Sequence, residues 1–147
     1  MQFQFKFNKV LSIREREKDE AFELYNQSVK RFEDAAEKLY ELLKKKEDLE
    51  SLQSERLLSG LPVQEIRHHQ QFVGNLEKTI HHFQKMVMNT RSQMNYFQDR
   101  LMEKNIEVKK YEKIKEKSKE HFYEELKQLE GRQMDDISIQ HFVNRGN

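Results

Sequence analysis

The residues of this chain best suited to chemistry are its histidines, four of which form two adjacent pairs, His68-His69 and His81-His82. A metal site on one helix needs ligands three or four residues apart, whereas adjacent side chains point in different directions. No histidine has another His, an Asp or a Cys at that spacing. The sequence therefore predicts no metal or cofactor site and no nucleophile activated by a neighbouring base, and we expect the chain not to be an enzyme.

The second candidate for chemistry is a basic run from Arg100 to Lys119, which holds eight Lys and Arg residues. Four Glu residues interrupt this run and Glu120 follows it, so most of its positive charge is compensated locally. A helix that reads DNA needs uncompensated charge for the phosphates, and the whole chain has 27 basic against 26 acidic residues. The pattern favours a solvated helix face with ion pairs, and nucleic-acid binding is the weaker alternative.

Composition points away from a compact globule and towards long helices. Hydrophobic residues make up 35% of the chain and charged residues 36%, with four Gly and one Pro. These apolar residues suffice for stripes along helices rather than for a thick core. The sequence has no cysteine, no signal peptide and no apolar run of membrane-spanning length, so we expect a cytoplasmic protein.

The elements that would position any functional residue are two helices with facing apolar stripes. The clearer stripe alternates steps of three and four from Val73 to Tyr111, and ten of its twelve positions are apolar or aromatic. Such a stripe is typical of a coiled coil and needs a second helix to cover it. From Asn8 onward, about fifty residues without Gly or Pro carry a weaker stripe that is basic near its start, at Arg14 and Lys18.

The turn between the helices determines which positions face each other. The segment Ser59-Gly60-Leu61-Pro62 combines a glycine that can end one helix with a proline suited to the first turn of the next. Two helices joined by a short turn run antiparallel, so the numbers of facing residues add to a constant. Centring the turn at position 61 makes that constant 122, which places Leu42 opposite Ile80.

The predicted fold is all-α: a long two-helix antiparallel coiled coil, or helical hairpin, with the second helix overhanging. We expect one elongated domain over residues 1–147. It comprises helix 1 at about 8–58, a turn at 59–62, helix 2 at about 63–130 and a C-terminal tail at 131–147. Helix 1 would leave residues 119–142 without cover from the same chain, and an exposed apolar stripe on a helix is usually a binding surface. The apolar residues concerned are Phe122, Leu126, Leu129, Met134, Ile137, Ile139 and Phe142.

The first seven residues, MQFQFKF, allow two interpretations. Phe3, Phe5 and Phe7 alternate with polar residues, so an extended backbone would put the three rings on one face. The rings would either pack back onto a helix near the open end of the hairpin or serve as a docking tag for a partner.

The segment FQFKFNKVLSIREREKDEA, with its alternating aromatic residues, Val10-Leu11, Arg14 and a charged run into Ala21, resembles the start of flagellar export proteins of the FliJ family. The chain length, the absence of cysteine, the long second helix and the pair Asp135-Asp136 before an apolar tail are also similar to that family. The resemblance covers nearly the whole chain.

This resemblance implies a non-enzymatic component of the bacterial flagellar type III export apparatus that looks like the central stalk of a rotary ATPase. Its implied partners are the hexameric export ATPase ring of the FliI type, the export gate protein of the FlhA type and export chaperones, with no nucleic acid. Contact with the inner face of the cell membrane would be peripheral and only through these partners.

Five residues are the candidates for contact with the ring and the gate. Arg14 and Lys18 lie near the expected open end of the hairpin, and Phe122, Asp135 and Asp136 lie on the expected overhang. The alternative from another class is a purely structural, dimerising coiled-coil adaptor, in which the overhangs of two copies cover each other.

Overall fold

The computed structural model describes residues 2–145 and contains the predicted pair of antiparallel helices. Helix α1 spans Asn8–Ser59 and helix α2 spans Val63–Arg145. Within the described residues these are the only helices, and none of those residues forms a strand. The predicted fold class, a helical hairpin whose second helix is the longer one, is confirmed.

A short connection over residues 60–62 separates the two helices. Gly60 has a φ of 88°, a left-handed conformation that suits glycine, and its amide donates to the carbonyl oxygen of Leu57 at 3.3 Å. Pro62 directly precedes α2, and its carbonyl oxygen accepts from the amide of Glu65 at 3.1 Å. Glycine and proline therefore end one helix and begin the next, as the sequence predicted.

The chain divides into two compact units, which both helices enter. The turn unit comprises Glu20–Met102, and the terminal unit comprises Met1–Asp19 together with Glu103–Asn147. Each unit is described separately below, and the single elongated domain stays a prediction.

The core of the turn unit is a cluster of the buried residues Leu42, Leu76 and Ile80. Leu39, Leu49 and Phe83 pack against this cluster. The pairs 42 with 80 and 39 with 83 both fit the predicted constant of 122, and Lys46 Nζ reaches Glu77 Oε1 across the helices at 3.3 Å. The residues of this cluster agree with the register predicted from the turn.

Polar residues in the helix interface of the turn unit keep their hydrogen bonds within their own helix. Ser28 is 1% exposed, and its hydroxyl donates to the carbonyl oxygen of Tyr25 at 2.6 Å. The hydroxyl of Thr90 donates to the carbonyl oxygen of Met86 at 2.8 Å. For the buried Ser28 this bond avoids the free-energy penalty of a polar group without a partner, and Thr90 is only half-buried, so the interface tolerates both residues.

The terminal unit contains the start of α1, the second half of α2 and a non-helical N-terminal segment, residues 2–7. Leu11 on α1 and Val108 on α2 are buried there. We expected the second helix to end near Glu130, whereas α2 continues through Gly131 to Arg145. Glycine in a helix costs roughly 1 kcal/mol relative to alanine, and the Glu, Lys, Leu and Gln residues before it favour helix enough to absorb that cost. Neither helix, over residues 2–145, has a stretch long and apolar enough to cross a bilayer.

Candidate partner-binding site

The second helix ends in a stretch without cover from the rest of the chain. From Lys127 to Arg145 every residue is exposed, although the helix is continuous. The large apolar side chains exposed in this stretch are Leu129, Met134, Ile137, Ile139, Phe142 and Val143, with exposed fractions from 43% to 79%. Exposed apolar surface of this kind on a helix makes the stretch the candidate site for binding another protein.

Some of these apolar residues continue a stripe that begins before Lys127 on one side of α2. Leu126 and Ile137 are eleven residues apart, about three helical turns, so they lie on nearly the same face. We call the five apolar residues on this side the α2 stripe. They are Phe122, Leu126, Leu129, Met134 and Ile137. The helix around the stripe is acidic, because six acidic but only two basic residues lie between Glu120 and Asp136.

The N-terminal segment covers the beginning of the α2 stripe. The ring of Phe3 lies against the ring of Phe122, with 5.6 Å between centroids and a tilt of 54°. Phe122 and Leu126 are half-buried, so the exposed stretch begins at Lys127 and not at residue 119 as expected. The interpretation that the N-terminal rings pack back onto a helix is confirmed for Phe3, whereas Phe7 remains 41% exposed.

A group of four charged residues lies between the two helices of the terminal unit. Arg14 Nη1 donates to Glu17 Oε2 at 3.1 Å, and Lys104 Nζ donates to the same oxygen at 3.3 Å. Arg14 Nε lies 3.9 Å from Glu107 Oε2, too far for a hydrogen bond, and is buried without a partner among the described residues. The basic interface predicted here is thus balanced by two glutamates that the stripe positions did not include.

These contacts change the proton affinities of the residues that make them. Hydrogen bonds from Arg14 and from Lys104 lower the pKa of Glu17 below its ordinary value of 4.5. The hydrogen bond to Glu17 in turn raises the pKa of Arg14. All of these side chains are about one-third exposed, so solvent weakens the stabilisation that they provide.

The shift at Glu17 predicts a pH dependence. A carboxyl group whose pKa is lower in the folded state stabilises that state above the unfolded pKa and loses this contribution as the pH falls through the folded pKa. The variant Glu17→Gln should therefore unfold at a lower temperature than the parent protein at pH 7. The two should converge well below pH 4.5, where Glu17 is protonated.

Thermal unfolding followed by circular dichroism at both pH values tests this expectation. Glu15→Gln is the control, because Glu15 lies two residues away on α1 and is exposed. A constant difference between the parent and Glu17→Gln across the pH range would contradict the role of the charged group.

The five residues predicted to contact partners do not form one site. Arg14 is held by Glu17, and Lys18, four residues further along α1, is half-buried. Phe122 is engaged by Phe3, whereas Asp135 and its neighbour Asp136 are exposed on α2. Thirteen residues separate Phe122 from Asp135, about 20 Å along a helix. Of the five, only the two aspartates lie in the exposed stretch.

Two of the histidines make local contacts within α2. Within residues 2–145 no group of three or more His, Cys, Asp or Glu side chains could hold a metal ion. His82 packs edge-on against the neighbouring ring of Phe83, and His121 lies 3.0 Å from Glu125 on the exposed surface of α2.

Comparison with known proteins identifies the family. The model of the family described as Flagellar FliJ protein matches residues 3–147. The chain belongs to the flagellar FliJ family. A Flagellar FliJ protein from Bacillus subtilis (strain 168) is 52% identical over 146 residues, which cover 99% of both chains. The family predicted from the N-terminal segment is confirmed, and with it the assignment to the flagellar export apparatus.

A solved structure supports the fold independently. The structure of a YscO homologue from Chlamydia trachomatis superposes with a TM-score of 0.65 and covers 99% of both chains. Only 19% of the aligned residues are identical, so this similarity concerns the fold alone. The fold of this chain therefore also occurs in a protein of distant sequence.

Proposed function

We propose that this member of the FliJ family is a non-enzymatic stalk that binds the hexameric export ATPase of the FliI type and stimulates its ATP hydrolysis. In this proposal it also links the ATPase to the export gate protein of the FlhA type and to export chaperones. It would act in the cytoplasm, peripherally at the inner face of the cell membrane through these partners. The observation that carries the proposal is the uncovered end of α2 from Lys127 to Arg145.

The uncovered end has the properties of a contact element for a ring. Its backbone is already helical as a continuation of α2, so binding would not require a new helix to nucleate. Its apolar residues face solvent in the absence of a partner, and burying them would provide a hydrophobic driving force. A ring that surrounds one helix end could contact several faces, which suits apolar residues spread beyond a single stripe, such as Ile139 and Phe142.

The charges at the end of α2 indicate which kind of partner surface would complement it. Asp135 and Asp136 lie between Met134 and Ile137, so carboxylates flank the apolar residues most suited to binding. A matching surface on the ATPase would combine apolar side chains with Lys or Arg. We assign Asp135 and Asp136 to ATPase contact, whereas Arg14 is assigned chiefly to holding α1 against α2 through Glu17. No catalytic residue is assigned to this chain, because hydrolysis takes place in the ATPase.

Titration of the purified protein into the purified export ATPase tests the proposal. We expect the rate of ATP hydrolysis to rise and to saturate as the protein is added, with binding measured in parallel by calorimetry. The variant Asp135→Asn/Asp136→Asn should bind more weakly than the parent, and the difference should shrink at high salt. A hydrolysis rate and a ring assembly that do not respond at any ratio of the two proteins would contradict the proposal.

Sedimentation distinguishes the dimerising alternative, which the same exposed apolar residues could also support. A stalk should sediment as a monomer in the absence of its partners. A tight dimer that dissociates when residues 127–147 are removed would support a structural adaptor instead.

A further inference from the structure

We propose that the N-terminal segment, residues 2–7, is a displaceable cover over the start of the α2 stripe, and that the partner of the stripe displaces it. This inference rests on the proposed function, since it concerns how the same surface is regulated. The contact that carries it is the packing of Phe3 on Phe122.

The exposed fractions of the side chains along α2 show which residues the N-terminal segment covers. Ser118, Phe122 and Leu126 occupy successive turns of one face of α2, and all three are half-buried. Directly after them, at Lys127, the exposed stretch begins. The helical part of α1 starts at Asn8, so the N-terminal segment is what continues the chain along this part of α2.

The segment is held weakly enough to be displaced. It is not helical. Among the described residues, its backbone oxygens accept hydrogen bonds from Asn8 N (to Phe5 O) and from Leu11 N (to Phe7 O), which anchor the end next to α1. An open groove with a volume of about 600 Å³ is lined by Phe3, Phe5 and Lys115, so the segment does not fill the space beside α2. The contact between the rings of Phe3 and Phe122 is an apolar contact that holds the segment against α2.

Displacement would enlarge the surface available to a partner. With the segment in place, the exposed part of the α2 stripe runs from Leu129 to Ile137, about 12 Å along the helix. With the segment removed it would begin at Phe122 and extend over about 22 Å. The partner would then bury an aromatic ring that the protein otherwise covers itself, and the segment would compete with the partner for Phe122.

Thiol labelling measures the cover in the protein alone. The chain has no cysteine, so Ser118→Cys introduces a single thiol, at a half-buried position one turn before Phe122 and with little change in size. Adding Phe3→Ala should make this thiol react several-fold faster with a maleimide reagent. Adding Phe7→Ala instead, at an exposed ring of the same segment, should leave the rate unchanged. Equal labelling rates in the parent and in Phe3→Ala would overturn the proposal.

Binding to the purified export ATPase measures the competition. Phe3→Ala should bind on the order of three- to tenfold more tightly than the parent, since one aromatic contact no longer has to be broken. Unchanged binding would overturn the proposal, and weaker binding would overturn it in favour of a segment that itself docks on the partner. If the parent protein does not bind the ATPase at all, the proposed function fails, and the labelling rates still decide whether the segment covers Phe122.

Discussion

Replacing Met134 and Ile137 together by aspartate is expected to abolish stimulation of the export ATPase while leaving the helices folded. Both side chains are more than 60% exposed, so the substitutions remove little packing within the chain. At a protein interface, by contrast, a few central residues dominate the binding energy, and truncating one of them costs about 2 kcal/mol or more; here a charge would also have to be buried in their place. We expect binding to weaken by on the order of a hundredfold or more.

A matched control tests whether the effect depends on where the two aspartates are introduced. Leu58→Asp/Val63→Asp makes the same kind of change at two residues that are 91% and 69% exposed, beside the turn and in the turn unit. This control should stimulate the ATPase like the parent. Both double variants should keep the helical circular dichroism of the parent. Equal activity of the two double variants would contradict the assignment of the ATPase contact to the end of α2.

Truncating one residue of the turn-unit core is expected to have the largest effect on stability. Leu42→Ala removes a side chain that is 9% exposed and belongs to the cluster with Leu76 and Ile80. Substitutions of buried leucine by alanine cost about 2–5 kcal/mol, because the apolar contacts are lost and a cavity remains. That is a large part of the typical stability of a domain, which is about 5–15 kcal/mol.

The adjacent leucine provides the control for this experiment. Leu43 follows Leu42 on α1 but is 43% exposed, so Leu43→Ala should lower the free energy of unfolding much less. Urea unfolding followed by circular dichroism measures both variants. Similar losses for Leu42→Ala and Leu43→Ala would show that the interface between the helices does not lie where the register puts it.

The helices and their register were predictable because their signals are periodic and local. The spacing of apolar residues from Val73 to Tyr111 defines one face of a helix, and Gly60 with Pro62 marks the single turn. Once the turn is placed, antiparallel geometry leaves one register, which the cluster around Leu42 and Ile80 reproduces.

The features missed from the sequence lack such a signal. Glu17 and Glu107 lie beside the stripe positions and reach into the interface through long side chains, so a count of stripe residues does not detect them. The contact of Phe3 with Phe122 joins a non-helical segment to a helix, and no periodicity predicts that pairing. We expected the second helix to end near residue 130, but a glycine inside a sequence of helix formers, such as Gly131, does not by itself break a helix.

The sequence predicted that the end of the second helix is exposed, but not the residue at which the exposed stretch begins. The apolar residues beyond Phe122 indicated an overhang, and the exposed stretch of α2 has that composition. Its starting point depends on the N-terminal segment, whose position only the tertiary structure defines. The roles of Arg14, Lys18, Phe122, Asp135 and Asp136 in partner binding stay predictions.

The continuity of α2 through Arg145 also bears on the thermodynamics of binding. A segment that folds only when it meets its partner buries backbone as well as side chains, and its association has a large negative heat-capacity change with an unfavourable ordering entropy. The end of α2 extends a helix that the packed residues before it have already nucleated. Its heat-capacity change on binding should therefore reflect the apolar side-chain area that the partner covers, without the additional contribution of coupled folding.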